Sequence, residues 1–198
     1  MRADYGGLYR FRENYAAEGA FRATPEDRVL NHGWDLLYRN ISPTEPVRLD
    51  RQMGRYLNDV VWTGLTGIVL ASDRMIALLR DGGFTGWQIY PVLLVGKRGE
   101  KLGGYHGLSV TGRAGPIDRD RSLKEWRGPL VPKGSRFQVH CGMLFRNDEW
   151  DRSDIFLPRK TAFIIVTERL KNALDRLNIR NIRFERLTDV ELQADDDD

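Results

Sequence analysis

Two stretches of the chain carry the same succession of apolar and polar positions. Displaced by 95 positions, NDVVWTGLTGIVLASDRMIALLRDGGFTGWQIYPV (58–92) lies without a gap on SDIFLPRKTAFIIVTERLKNALDRLNIRNIRFERL (153–187). Only Asp59/Asp154, Thr66/Thr161, Arg74/Arg169 and Leu79/Leu174 are identical, so the recurrence lies in the pattern. In each stretch an Asp precedes three apolar residues and a polar break. An apolar run follows (67–71, 162–166), then Ser72 or Thr167, then an acidic residue and an arginine.

Each part has a mechanical meaning. An apolar run of β-prone residues suits a strand buried on both faces. Ser72 and Thr167 are placed to accept a hydrogen bond from a free N–H of a following helix, and Asp73 or Glu168 favours the positive end of its dipole. Met75, Leu78 and Leu79, and Leu170, Ala173, Leu174 and Leu177, recur at helical spacing on one face. Gly82-Gly83 and Asn178 permit left-handed helix ends. A second apolar alternation closes each copy (Trp87, Ile89; Ile182, Phe184). Asp59 and Asp154 are expected to bind backbone amides at a turn, and Arg74 and Arg169 to pair with nearby carboxylates.

The remaining chain reads less clearly. Thr24-Pro25-Glu26-Asp27 predicts a helix start, with Gly33 shortening the element. NISPTEPVRLD (40–50) predicts a connecting loop, and 51–59 a short helix carrying Met53, Tyr56 and Leu57. Residues 90–95, a Gly-Lys-Arg-Gly turn and a return over 105–111 predict a β-hairpin, and 136–145 another strand. The Gly-, Pro- and Arg-rich stretch 112–135 predicts a long loop. The expectation is an α+β fold: a mixed or mostly antiparallel sheet with helices on one face, containing two similar strand-helix-strand units at 58–92 and 153–187. It forms a single domain over 1–198, as one body or as two packed halves (about 1–110 and 136–190) joined by a basic loop at 111–135, with an acidic disordered tail at 190–198.

Composition narrows the class. With 198 residues, 41% hydrophobic and 30% charged, the chain can bury one ordinary core. No segment approaches the roughly 20 apolar residues of a membrane helix, so no membrane partner is expected. The opening MRADYGGLYRFRENY has no apolar segment of the secretory kind, and the single cysteine, Cys141, excludes an internal disulfide; the expected location is cytoplasmic. Net charge is only +3, but Thr111 to Arg136 holds seven basic residues against Asp118, Asp120 and Glu125, whereas Asp195 to Asp198 are all acidic. The basic block could serve a nucleic acid through counterion release, although interleaved acids weaken its field and no aromatic series accompanies it.

Catalytic chemistry finds little support. His32, His106 and His140 are scattered, and no CxxC or HExxH occurs, so no metal or cofactor is expected. His140 and Cys141 are strand neighbours that point to opposite faces and cannot act as base and nucleophile; a buried Cys141 beside a surface or hydrogen-bonded His140 is expected. The glycines between 96 and 115 form neither GxGxxG nor GxxxxGK[ST]. Asp118 and Asp120 lie among arginines that repel a cation. No catalytic residue is assigned, and an enzyme of unrecognised class stays open beside a nucleic-acid-binding module.

GIVLASDRMIALLRDGGFTGWQIYPV and SDIFLPRKTAFIIVTERLKNALDRLNIRNIRFERL each resemble the recurring pattern of a bacterial family, immunity protein family eleven of polymorphic-toxin systems: an Asp-apolar pair, an apolar strand, a Ser/Thr-Glu/Asp-Arg-Leu helix start and a terminal strand. The resemblance implies a non-catalytic protein that neutralises a cognate toxin by direct binding. Interfaces of that kind favour Trp, Tyr and Arg anchors. The candidates here are Tyr105, Arg113, Arg119, Arg121, Trp126 and Arg127, facing a toxin with an acidic contact face. Trp126 leads, with folding back over the core as its alternative.

Overall fold

Local pairing of the alternating segments sets the architecture. The computed structural model describes residues 5–193. In chain order the elements are β1 (Leu8–Glu13), β2 (Arg22–Pro25), α1 (Gly33–Leu37), β3 (Val47–Met53), β4 (Val60–Thr63), β5 (Val69–Ser72), α2 (Asp73–Asp81), β6 (Trp87–Tyr90), β7 (Val92–Val95), β8 (Lys101–Leu102) and β9 (Tyr105–Val110). There follow β10 (Gly112–Pro116), β11 (Leu123–Arg127), β12 (Phe137–Cys141), β13 (Ile155–Arg159), β14 (Ile164–Thr167), α3 (Glu168–Arg176), β15 (Ile182–Arg186) and β16 (Glu191–Gln193). Strand predominates.

Two large mixed sheets form, ordered β6-β9-β5-β4-β2-β3-β7-β8 and β10-β13-β14-β1-β15, beside a small one, β11-β12-β16. Within the large sheets, β4-β5-β9-β6 and β13-β14-β1-β15 follow the same antiparallel order. Their registers also correspond. Val60 faces Ala71 as Ile155 faces Val166, and Ser72 faces Tyr105 as Thr167 faces Leu8. Ile89 faces Leu108 as Phe184 faces Phe11. The third strand of the second set, β1, stands where β9 stands in the first, and comes from the beginning of the described chain.

α2 and α3 lie together in a core shared by both large sheets. Met75, Ile76 and Leu79 meet Leu170 and Leu174 there, with Val69, Ala71, Ile164 and Val166 from the apolar runs. The alternate residues Leu70 and Ile165 point the other way, into two outer cores, so both runs are buried on both faces. Each fully buried Leu or Ile contributes about 1.5–3 kcal/mol. Ser72 Oγ accepts from the Met75 N–H, and Thr167 Oγ1 from the Leu170 N–H, starting the two helices. Gly83 and Asn178 follow with φ of +59° and +49°. α1 stands apart, giving Leu36 to one core and Leu37 to another, so the helices do not share one face.

Several local readings are corrected by long-range pairing. Thr24 and Pro25 end β2, opposite Asp50 and Leu49, instead of opening a helix. A 3₁₀ turn at Asp27–His32 follows without a side-chain cap, because the Glu26 carboxylate is engaged by the Arg48 N–H and the Arg28 Nε–H. Residues 51–53 continue β3, and no helix forms at 51–59; Gly54, at φ +79°, ends the strand where a Cβ would stand 1.9 Å from the Ala20 carbonyl. Pro91 separates β6 from β7, since it cannot donate to a ladder. β7 therefore joins β3 in parallel and meets only the two-residue β8, whereas 105–110 crosses to lie between β5 and β6. The predicted loop at 112–135 contains β10, parallel to β13, and β11, antiparallel to β12. Of the expected tail, Val190 is buried and 191–193 form β16; Asp195 to Asp198 lie outside the described residues.

Candidate interaction surface

The most conspicuous residues of the sequence meet where the two strand-helix-strand segments cross. Asp154, 8% exposed, accepts from the Thr85 N–H at 3.0 Å, in the turn after α2. Asp59, also 8% exposed, accepts from the Arg180 N–H at 2.9 Å, in the turn after α3. Each carboxylate thus holds the turn of the other segment. Ser72 donates to Asp59 and Thr167 to Asp154, both at 3.1 Å. Arg74 binds Asp59 and the Leu177 carbonyl; Arg169 binds Asp154 and the Gly82 and Gly83 carbonyls. The turns also need special backbones. Gly86, at φ +89°, lets the Ile155 carbonyl approach to 2.0 Å of where a Cβ would be, and Asn181, at φ +68°, donates its side-chain amide to the Val60 carbonyl.

None of these partners is a histidine. Burial pushes the Asp154 carboxyl up, but hydrogen bonds from Arg169, Thr85 and Thr167 outweigh it and hold it below its ordinary value. His106 instead lies 2.7 Å from Asp73, and His32 3.2 Å from Asp35. His140 is buried, with Nδ1 unpartnered among the described residues, and Cys141 is the half-exposed one, reversing the expected assignment. On β12 His140 faces the side of Leu192 and the outer core, while Cys141 faces Glu191 under the Arg127 guanidinium. Among the described residues no group of three His, Cys, Asp or Glu is close enough to hold a metal ion.

The sequence-predicted contact residues fall into two groups. Tyr105 donates its hydroxyl to the Asn58 carbonyl; burial, with the Asp59 charge, pushes it up to about 12. Arg113 donates to the carbonyls of Val110, Gly112 and Tyr38, with its guanidinium 4.6 Å over the Tyr38 ring, and burial lowers its pKa. These two are tied into the framework. Arg121 pairs with Asp118 at 3.6 Å. Arg127 donates to Glu125 and Glu191, whose carboxylates raise its pKa. Trp126 does not fold back; it is 61% exposed on β11. Leu123 (65%), Leu130 (79%) and Val131 (63%) are exposed beside it in sequence, and β11 is the outermost strand of its small sheet. Arg119 lies in the turn that leads into this strand.

A second feature had no signal in the sequence. A cleft of about 270 Å³ opens at one end of the shared core, lined by β1, the turn from Thr63 to Ile68, and Ala162 to Ile164. It forms where β1 lies beside the start of β14, two segments far apart in the chain, which neither periodicity nor spacing reveals.

A β-rich, mixed-sheet protein with an exposed Trp on an edge strand and a charged cleft is thus defined. The model of the immunity protein family Imm11 matches residues 12–189, and the chain belongs to that family. The match spans both strand-helix-strand segments and the 112–135 region. No curated protein matches the chain. No helix among the described residues is long and apolar enough to cross a membrane.

Proposed function

We propose that this chain is a non-catalytic immunity protein that neutralises a cognate bacterial toxin by direct binding in the cytoplasm. Family membership over residues 12–189 is the observation that carries this reading. Two structural facts support it. The residues that would first be suspected of chemistry, Asp59 and Asp154, have their oxygens occupied by backbone amides and arginines. Trp126, 61% exposed on the edge strand β11, is a large aromatic of the kind that anchors interfaces, with Arg119, Arg121, Lys124 and Arg127 close to it in sequence to select an acidic contact face on the toxin. We also read the two segments as one structural unit used twice, each half completed by a strand supplied from beyond its own strand-helix-strand run.

Co-expression with the products of neighbouring reading frames tests the function. One product should arrest growth alone, be neutralised by this chain and co-purify with it. Neutralisation without association would contradict binding as the mechanism.

A further inference from the structure

Sheet edges are where a β-rich chain exposes unpaired backbone groups, and most of the edges here are protected. On the side of β10 away from β13, the Arg146 N–H donates to the Pro116 carbonyl and the Arg146 carbonyl accepts from the Gly115 N–H. On β6 the Arg39 guanidinium donates to the Ile89 carbonyl. β8 and β16 are only two and three residues long. β15 keeps its apolar residues, Ile182 and Phe184, packed against the shared core.

β11 lacks these protections. Its five residues pair with β12 alone, and no other segment among the described residues bonds their backbone. Leu123, opposite Cys141, and Trp126, opposite Gln138, stand on opposite faces of the strand and are 65% and 61% exposed. An added strand would cover apolar surface on both faces of the sheet. On the Leu123 face the charges are already matched, Arg127 binding Glu125 and Glu191. On the Trp126 face Lys124 is exposed, with no hydrogen-bond or ion-pair partner among the described residues.

Lys124 and Trp126 lie two positions apart on one face, and this spacing defines what fits beside them. An antiparallel strand would set an apolar residue opposite Trp126 and, two positions later, a carboxylate opposite Lys124, a cross-strand pair of opposite charge. A second copy of the chain does not offer this. When identical antiparallel strands pair about a two-fold axis, opposed residues are an even number of positions apart, so β11 of a second copy presents to Lys124 only Lys124 or Trp126.

We propose that β11 accepts a strand of the cognate toxin along its open edge, an extended segment carrying an acidic residue two positions after an apolar one. The inference rests on the toxin-binding reading and deepens it: main-chain hydrogen bonds supply affinity, and the residues facing Trp126 and Lys124 supply selectivity.

The test uses the growth-arresting product that co-purifies with this chain, and residue-resolved amide hydrogen exchange of the chain free and in that complex. Along an antiparallel strand successive N–H groups point to opposite neighbours, so every second amide of 123–127 faces away from β12. Those outward amides should exchange at least about tenfold more slowly in the complex, while the amides facing β12 keep their rates. Docking through side chains alone gives no such alternation. The exposed Lys124→Glu should keep the unfolding midpoint and weaken association about tenfold, since it sets like charges opposite each other. Outward amides that exchange as freely in the complex as in the free chain, or undiminished association of Lys124→Glu, would overturn the proposal. So would the same alternating protection produced without the toxin, by self-association or by oligothymidylate. If the product is captured while β11 stays unprotected, the edge assignment alone falls; if none is captured, the functional reading falls with it.

Discussion

Asp59 and Asp154 hold corresponding turns, yet the second junction is the tighter. Arg169 reaches both oxygens of Asp154 through two nitrogens, at 3.1 and 3.0 Å, whereas Arg74 reaches Asp59 through one, at 3.5 and 3.4 Å. Asp154 also accepts from the Thr85 hydroxyl, for which the first junction offers only Arg180. A further difference lies one residue earlier in each turn. Phe84 presents its ring 4.2 Å below the Arg169 guanidinium and fixes its plane; the residue at the corresponding place under Arg74 is Ile179, which offers no π face. The same backbone frame thus yields two clamps of different strength through two side-chain differences, Phe84 against Ile179 and Thr85 against Arg180.

Removing the carboxylates separates the clamps most strongly. Asp154→Ala, leaving the Thr85 amide and Arg169 unpaired, should cost about 3 kcal/mol in urea unfolding. Asp59→Ala should cost about 1–2 kcal/mol, since its lost ion pair is the looser one. Equal losses would show that the geometry of the arginine does not matter. Phe84→Leu should weaken the Asp154 junction alone, so that a later Arg169→Ala costs less than it does in the wild type.

The helix caps come next. Thr167→Ala and Ser72→Ala should each lower stability by about 1 kcal/mol, since both lose an N-cap hydrogen bond as well as a donor to the carboxylate. A smaller, pH-dependent difference follows from Asp154. Its folded pKa lies below its unfolded value of about 3.9, so its contribution is complete above that pH and disappears as pH falls through the depressed folded value. Acid unfolding of Asp154→Asn should therefore be less steep below about pH 4 than that of the wild type. An unchanged profile would deny the carboxylate its role.

What was legible in the sequence follows from range. Ser72, Thr167 and the apolar runs act within a few residues of themselves, so periodicity exposes the caps, the helices and strands buried on both faces. That Asp59 and Asp154 bind backbone at turns is local chemistry, but that each binds the turn of the other segment depends on how the segments pack. In 90–111 the strands and the turn between Gly96 and Gly99 are local and legible, but their pairing is not: Pro91 and the Gly103-Gly104 break send β7 to β3 and β9 to lie between β5 and β6. β11 was hidden among Arg, Lys and Glu because an edge strand exposed on both faces has no apolar alternation to display. Trp126 could still be singled out, as a large aromatic among charges; the cleft could not, since β1 and the start of β14 that line it are far apart in the chain.

The central claim is that the loudest residues serve the framework while recognition belongs to the surface. Measuring unfolding midpoint and toxin dissociation constant side by side for Asp154→Asn and Trp126→Asp tests it most directly. The account predicts that Asp154→Asn lowers the midpoint and, while folded, binds as the wild type does. Trp126→Asp should change stability by no more than about 0.5 kcal/mol, yet weaken binding by at least about tenfold. A folded Asp154→Asn protein that no longer neutralises the toxin, beside a Trp126→Asp protein that binds it normally, would contradict the account.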